Sequence, residues 1–255
     1  MKLLPLLLIA SAIFASSASA REVLAEDDAS QSIYNEGWRS VNAGSGFAAW
    51  TFKNEAPGEE QSHSGFFIAS IDDNPDLTGA QIQKKAFGLF ANGTAFEKAA
   101  AFRSFNQPLQ AGDTFSFLFE HSAIVKKFET DDAGTGSIGL TLRAGNDSSS
   151  ADSYNTGARF EFGFYESLAN YFVYDGEENH DTGVAWTDGG ISVTVTLTSP
   201  DTYDLEIVTL EDKQTHSLKG RKLGGGAGER IESLCVFDRD GEKADAFFNG
   251  FQVTR

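Results

Sequence analysis

The sequence predicts an all-β domain built as a two-sheet antiparallel jelly-roll sandwich. Three observations predict it. Apolar residues recur at every second position, the period of a strand that buries one face. Gly, Pro, Asn and Asp gather into turn signals between these runs. Helical periodicity is almost absent, so there are too few helices to cover a parallel sheet.

Taken in order, the chain opens with Lys2, an apolar stretch from Leu3 to Phe14, and the small residues Ala18-Ser19-Ala20 ahead of Arg21. This is the pattern of a secretory signal peptide over residues 1–20, and it predicts a secreted protein, extracellular or periplasmic. The apolar stretch is interrupted by Pro5 and falls short of the roughly 20 residues that span a bilayer. Residues 21–32, with Glu22, Glu26, Asp27 and Asp28, read as a flexible acidic lead-in. A single jelly-roll domain is expected over 33–255. The chain ends at Arg255 without a hydrophobic sorting tail, which fits a freely released product.

Within that domain Phe115, Phe117 and Phe119 alternate with Thr114, Ser116 and Leu118, and Phe160, Phe162 and Phe164 alternate with Arg159, Glu161, Gly163 and Tyr165. Val193, Val195 and Leu197 continue the pattern, as do Leu205 and Ile207. Each run reads as a half-buried strand. Phe96 to Phe102 fits either a strand or a short helix. Turns fall at Asp72-Asp73-Asn74-Pro75, Asn92-Gly93, Asp188-Gly189-Gly190 and Ser199-Pro200-Asp201, and Gly224-Gly225-Gly226-Ala227-Gly228 reads as a flexible hairpin. The 22 phenylalanines can fill the space between two sheets, while the 26 glycines permit bends and bulges.

Charge narrows the partners. The chain carries 37 Asp and Glu against 20 Lys and Arg, a net charge of -17, and the portion after residue 20 loses only the charge of Lys2. Such a field opposes nucleic acid and anionic membranes, because phosphate binding depends on Lys and Arg. The one cysteine, Cys235, sits in an apolar run and reads as a core residue, so stability rests on packing.

Several stretches carry a family likeness: Tyr34-Asn35-Glu36-Gly37-Trp38, Gly46-Phe47-Ala48-Ala49-Trp50, Phe87-Gly88-Leu89-Phe90-Ala91-Asn92, Thr187-Asp188-Gly189-Gly190, Asp201-Thr202-Tyr203-Asp204-Leu205 and Ala246-Phe247-Phe248-Asn249-Gly250-Phe251. In this order they resemble exported bacterial jelly-roll proteins of the concanavalin A-like lectin and glucanase superfamily. The resemblance implies two large antiparallel sheets with any ligand on the concave face or its rim loops. Glucanases of that superfamily carry a Glu-x-Asp-x-x-Glu strand. Here Glu161 and Glu166 keep the spacing, while Gly163 stands where the aspartate would be.

The leading functional expectation is a carbohydrate-binding, lectin-like module for a polysaccharide. Flat aromatics stack on sugar rings and planar polar groups fix hydroxyls. Trp50, Tyr165, Tyr174 and Trp186 are the candidate platforms, and Arg159, Glu161 and Asp188 the candidate hydrogen-bonding groups. One alternative is a glycoside hydrolase or polysaccharide lyase using Glu161, with Glu166 as its partner carboxylate. On an unbulged strand, however, residues five apart point to opposite faces. The other alternative is a non-catalytic structural or adhesive extracellular protein. No organic cofactor is indicated. Calcium is the one ion the acidity invites, with Asp238, Asp240, Glu242 and Asp245 as candidate ligands. The four histidines show no zinc spacing, and no nucleophile elbow is present.

Overall fold

A computed structural model describes residues 21–56, 63–93, 95–122, 136–166, 168–177, 179–240 and 244–255. The expected signal peptide and Glu242 lie outside them. Among the described residues, fifteen strands form two antiparallel sheets. The larger contains β1 (Val23–Asp27), β3 (Ser64–Ser70), β4 (Lys85–Ala91), β6 (Thr114–His121), β11 (Ile191–Ser199), β12 (Thr202–Thr209), β13 (Thr215–Lys222) and β15 (Ala246–Thr254). The smaller contains β2 (Thr51–Glu55), β5 (Lys98–Leu109), β7 (Ser137–Arg143), β8 (Ala158–Tyr165), β9 (Asn170–Tyr174), β10 (His180–Ala185) and β14 (Ile231–Arg239). Strand order is β13-β12-β11-β6-β15-β4-β3, with β1 also on β15, against β10-β9-β8-β7-β14-β5-β2. The result is the two-sheet antiparallel jelly-roll sandwich that the alternation predicts.

The space between the sheets is filled by the alternating residues. Phe115, Phe117 and Phe119 of β6 meet Phe160, Phe162 and Phe164 of β8, with Ile138, Leu140 and Leu142 of β7 beside them, all in one buried cluster. Phe117 and Phe119 each place an edge against Phe162 at 6.3 Å, across the sheets. Each such burial contributes about 1.5–3 kcal/mol, so the aromatic rows dominate the apolar stabilisation. The segment from Phe96 to Phe102 resolves as the start of a long strand, because Ala99, Ala100 and Ala101 pair along β14. Small side chains there let the two strands carry bulkier neighbours on both faces.

Three expectations are corrected. Residues 21–32 are not a flexible lead-in. Strand β1 pairs with β15 from Val23↔Thr254 to Asp27↔Phe251, and the buried Asp27 forms an ion pair with Arg103 of β5 in the other sheet. The sandwich therefore begins before residue 33. The glycine-rich stretch 224–228 is not a hairpin, since it carries the chain from β13 in the larger sheet to β14 in the smaller. Trp50 is not a surface platform. It is 1% exposed and packs edge-on against Trp38 at 5.0 Å, with Phe251 at 5.7 Å.

One bulge organises the edge where β1 enters. β15 pairs with β4 over Ala246–Phe248 and with β1 over Phe251–Thr254, and its register against β6 shifts between Asn249 and Gln252. Gly250 takes φ +57 at this break, a conformation that a side chain would strain. The Asn249 amide serves both partners, accepting from Ala29 N at 3.0 Å and donating to Lys85 O at 2.6 Å.

Candidate functional site

The smaller sheet has an outer face made by the residues that alternate with the core rows. Its register aligns them. Tyr174, Glu161, Thr141 and Cys235 form one cross-strand row, and Tyr165, Ser137, Arg239 and Lys98 form another. Between the two rows lie Gly163 and Gly139, which pair with each other. Part of this face is covered by a short 3-10 helix, Ala151–Asn155, whose Ala151 and Tyr154 pack on Ala100, Phe102, Cys235 and Phe237. The Thr141 hydroxyl ties it down by donating to Tyr154 O at 2.6 Å.

The uncovered remainder is a cleft of about 490 Å³, lined by Phe96, Ser137, Tyr154, Asn155, Ala158, Glu161, Tyr165, Tyr174, Asp175 and Arg239. Glu161 is its central polar group, 7% exposed. The Tyr165 hydroxyl donates to Glu161 Oε1 at 2.5 Å. These residues lie four apart on one strand face, with Gly163 between them. A Cβ at residue 163 would stand 2.5 Å from Ile138 O. Gly163 thus serves the close packing of β8 on β7. Tyr174 adds a second phenol, its ring edge-on to Tyr165 at 4.9 Å.

Electrostatics follow from burial. Desolvation pushes the Glu161 carboxyl above its usual range, opposed by the Tyr165 hydrogen bond and the Arg239 charge. Tyr165 is pushed well above an ordinary phenol by burial and by Glu161, so it acts as a donor and not as a base. Arg239 is held by aromatic faces: its guanidinium carbon lies 4.5 Å from the Tyr154 ring centre and 5.3 Å from that of Phe96. One amine of Arg239 donates to Tyr154 Oη at 3.0 Å. Asp175 also borders the cleft but is committed elsewhere, accepting from Arg221 Nε and Nη2 at 2.9 Å each and from the Tyr203 hydroxyl at 2.6 Å.

Of the residues expected from sequence, the structure brings together Glu161, Tyr165 and Tyr174. It separates the others. Arg159 is 1% exposed, because a register shift where β8 meets β7 turns it away from the cleft. Its guanidinium donates to Gly226 O at 2.9 Å, Glu229 O at 2.5 Å and Asp201 Oδ1 at 2.9 Å, anchoring the glycine-rich connection. Trp186 is half-buried against the core, and its indole donates to His121 O at 3.1 Å. Asp188 lies in a separate depression with Thr78, Gly79, Gly189, Leu210 and Glu211. Glu166 is buried, accepts from Gly136 N at 3.2 Å, and does not line the cleft, so the pair of carboxylates that a retaining glycosidase needs is not assembled from Glu161 and Glu166.

Of the expected calcium ligands, Asp238, Asp240 and Asp245 do not gather either. Asp238 shares the inward strand face of Leu234 and Val236, and Asp240 is buried with its amide donating to Glu97 O at 2.8 Å. Asp245 is influenced instead by Asp76, which together with burial raises its carboxyl to about 6. Among the described residues no group of three or more His, Cys, Asp or Glu is placed to hold an ion.

Sequence reasoning missed Arg239, Tyr154, Phe96 and Ser137 as cleft residues. The signal for Arg239 was present, since it stands two places beyond Phe237 and alternates with Val236 and Asp238. Tyr154 carries no such signal, because the Ser148-Ser149-Ser150 stretch before it reads as a loop.

The strand order defines the class as a two-sheet antiparallel jelly-roll sandwich. No protein-family model and no curated protein matches the chain. Similar solved structures include lectin II from Ulex europaeus, at 12% identity over 80% of this chain and 97% of that one, with a TM-score of 0.40. The carbohydrate esterase vb_24B_21 of the Shiga toxin-encoding bacteriophage phi24B is 12% identical over 92% and 99%, with a TM-score of 0.44. A structure described with endo-acting O-glycanases of the human gut microbiota is 10% identical over 91% and 99%, with a TM-score of 0.48.

Proposed function

We propose that this chain is an exported carbohydrate-binding module that seats a polysaccharide segment on the open face of its smaller sheet. The observation that carries the reading is the cleft itself, where a sheltered Glu161 held by Tyr165 stands beside the half-buried ring of Tyr174. A carboxylate accepting one hydrogen bond keeps lone pairs for sugar hydroxyls, and a tyrosine ring offers its face to the C–H side of a pyranose. Half-buried aromatics cost little conformational entropy on binding. The signal-peptide pattern of residues 1–20 supports export.

Binding of the whole chain to a panel of immobilised glycans tests this. Saturable binding to at least one glycan is expected. Glu161→Gln and Tyr174→Ala should each weaken it by tenfold or more while leaving the thermal transition within a few degrees. Binding to no glycan, or binding indifferent to both substitutions, contradicts the reading.

A further inference from the structure

We infer that the cleft takes an acidic sugar, a uronic acid whose carboxylate is received by Arg239. The inference rests on the reading of this cleft as a sugar site and names the chemical class of its ligand.

Four other arginines that the fold holds are paired with carboxylates. Arg103 pairs with Asp27, Arg159 with Asp201, Arg221 with Asp175 and Arg255 with Asp113. In a chain where acidic residues outnumber basic ones by 37 to 20, a carboxylate is the ordinary partner of a held guanidinium. Two held arginines depart from this: Arg143, which is fully buried and donates to the Thr156 and Asp147 carbonyls away from the cleft, and Arg239. Among the described residues Arg239 is the one cation lining the cleft, and its recorded polar contacts include no carboxylate. Its hydrogen bonds run to two hydroxyls, Tyr154 Oη at 3.0 Å and Ser137 Oγ at 3.5 Å, and its Nε is buried without an acceptor.

The surroundings fix the guanidinium and leave its capacity unspent. Phe96 and Tyr154 face it, which restrains the plane of the fork without consuming a donor. Nε is enclosed, so the donors left to a planar carboxylate entering the cleft are those of the outer amines. Glu161 supplies the complementary half. The Arg239 charge acts on Glu161 without an ion pair between them, and both groups line the cleft. A pyranuronate carries its carboxylate on one side of the ring and secondary hydroxyls on the other. Placed across the cleft, it meets Arg239 with the first and Glu161 with the second, while Tyr174 borders the ring.

The overall negative charge opposes any anion at long range. At physiological salt the Debye length is about 8 Å, so the opposition narrows to charges beside the cleft. Of these, Asp175 is already neutralised by Arg221.

The test compares binding of the full chain to polygalacturonate and to the same polymer with its carboxyl groups reduced to primary alcohols, with dextran sulfate as a third arm. The unmodified uronate is expected to bind at least tenfold tighter than its reduced form. Arg239→Gln should abolish that preference, and Arg239→Lys should restore part of it. Because the reduced polymer changes only the ligand, the result stands even if an Arg239 variant folds poorly. Equal affinity for both polymers overturns the acidic-sugar assignment and leaves the glycan reading in place. Dextran sulfate bound as tightly as the uronate overturns the planar-carboxylate contact. Binding to none of the three, nor to any neutral glycan, overturns both readings.

Discussion

Asp27 of β1 and Arg103 of β5 form a fully buried ion pair that joins the two sheets. The Tyr34 hydroxyl donates to Asp27 Oδ2 at 2.7 Å, and the guanidinium also donates to Ala48 O at 2.8 Å and Ala43 O at 2.7 Å. The Arg103 guanidinium rests 4.6 Å from the Phe47 ring and 4.9 Å from that of Trp50. An acidic residue from the segment expected to be flexible is thus a fixed part of the core.

Removing one partner leaves the other charged, buried and unpaired. Asp27→Ala is expected to lower unfolding stability in urea by about 3–5 kcal/mol. The double replacement Asp27→Leu with Arg103→Met removes both charges and should cost less than the single one. A loss below about 1 kcal/mol for Asp27→Ala would show that the pair does not hold the sheets.

Glu120 clamps a loop from inside. One carboxylate oxygen accepts from Thr78 N and Oγ1, both at 2.7 Å, and the other from Gly79 N at 2.8 Å and Ala80 N at 2.7 Å. Glu120→Gln turns one acceptor into a donor facing two donors. The expected cost is about 2 kcal/mol, with faster hydrogen exchange at the Gly79 and Ala80 amides. Unchanged exchange at those amides would contradict the clamp.

His121 sets a pH dependence. Complete burial lowers its imidazole to about 4, against an ordinary 6.5, with the contact to Ser122 O acting the other way. The folded state therefore resists protonation that the unfolded chain accepts. Its contribution is fully present above pH 6.5 and is lost as pH falls toward 4, by about 3 kcal/mol across that window. Asp245, raised to about 6, works in the opposite sense below that pH, because the folded state holds its proton more tightly. The two are separated by comparing wild type with His121→Gln in urea at pH 7.5 and 4.5. The variant should lose less stability on acidification, and an equal loss would contradict the assignment.

Much of the fold is legible because its buried positions are large and apolar at period two. Phe115, Phe117 and Phe119, or Val193, Val195 and Leu197, announce both a strand and the face it buries. Strand β1 is not legible, because its two buried positions are Ala25 and Asp27, a small residue and an acid. Trp186 beside the turn at Asp188 suggests exposure, yet the indole is drawn inward by a backbone carbonyl of another strand, a contact that no local pattern encodes. In the candidate site, Glu161 and Tyr165 follow from alternation along their strand, whereas Tyr174 stands on a strand too short for alternation to assign its face. Arg239 and Tyr154 depend on the register between β14, β7 and the helix 151–155, which is set by contacts distant in sequence.

The most direct test of sugar binding on the open face of the smaller sheet is mapping of amide shifts by NMR during titration with galacturonate oligomers. The largest shifts are expected at Ser137, Tyr154, Glu161, Tyr165, Tyr174 and Arg239. Shifts centred instead on Thr187, Asp188 and Gly189, or spread along the larger sheet, would contradict it.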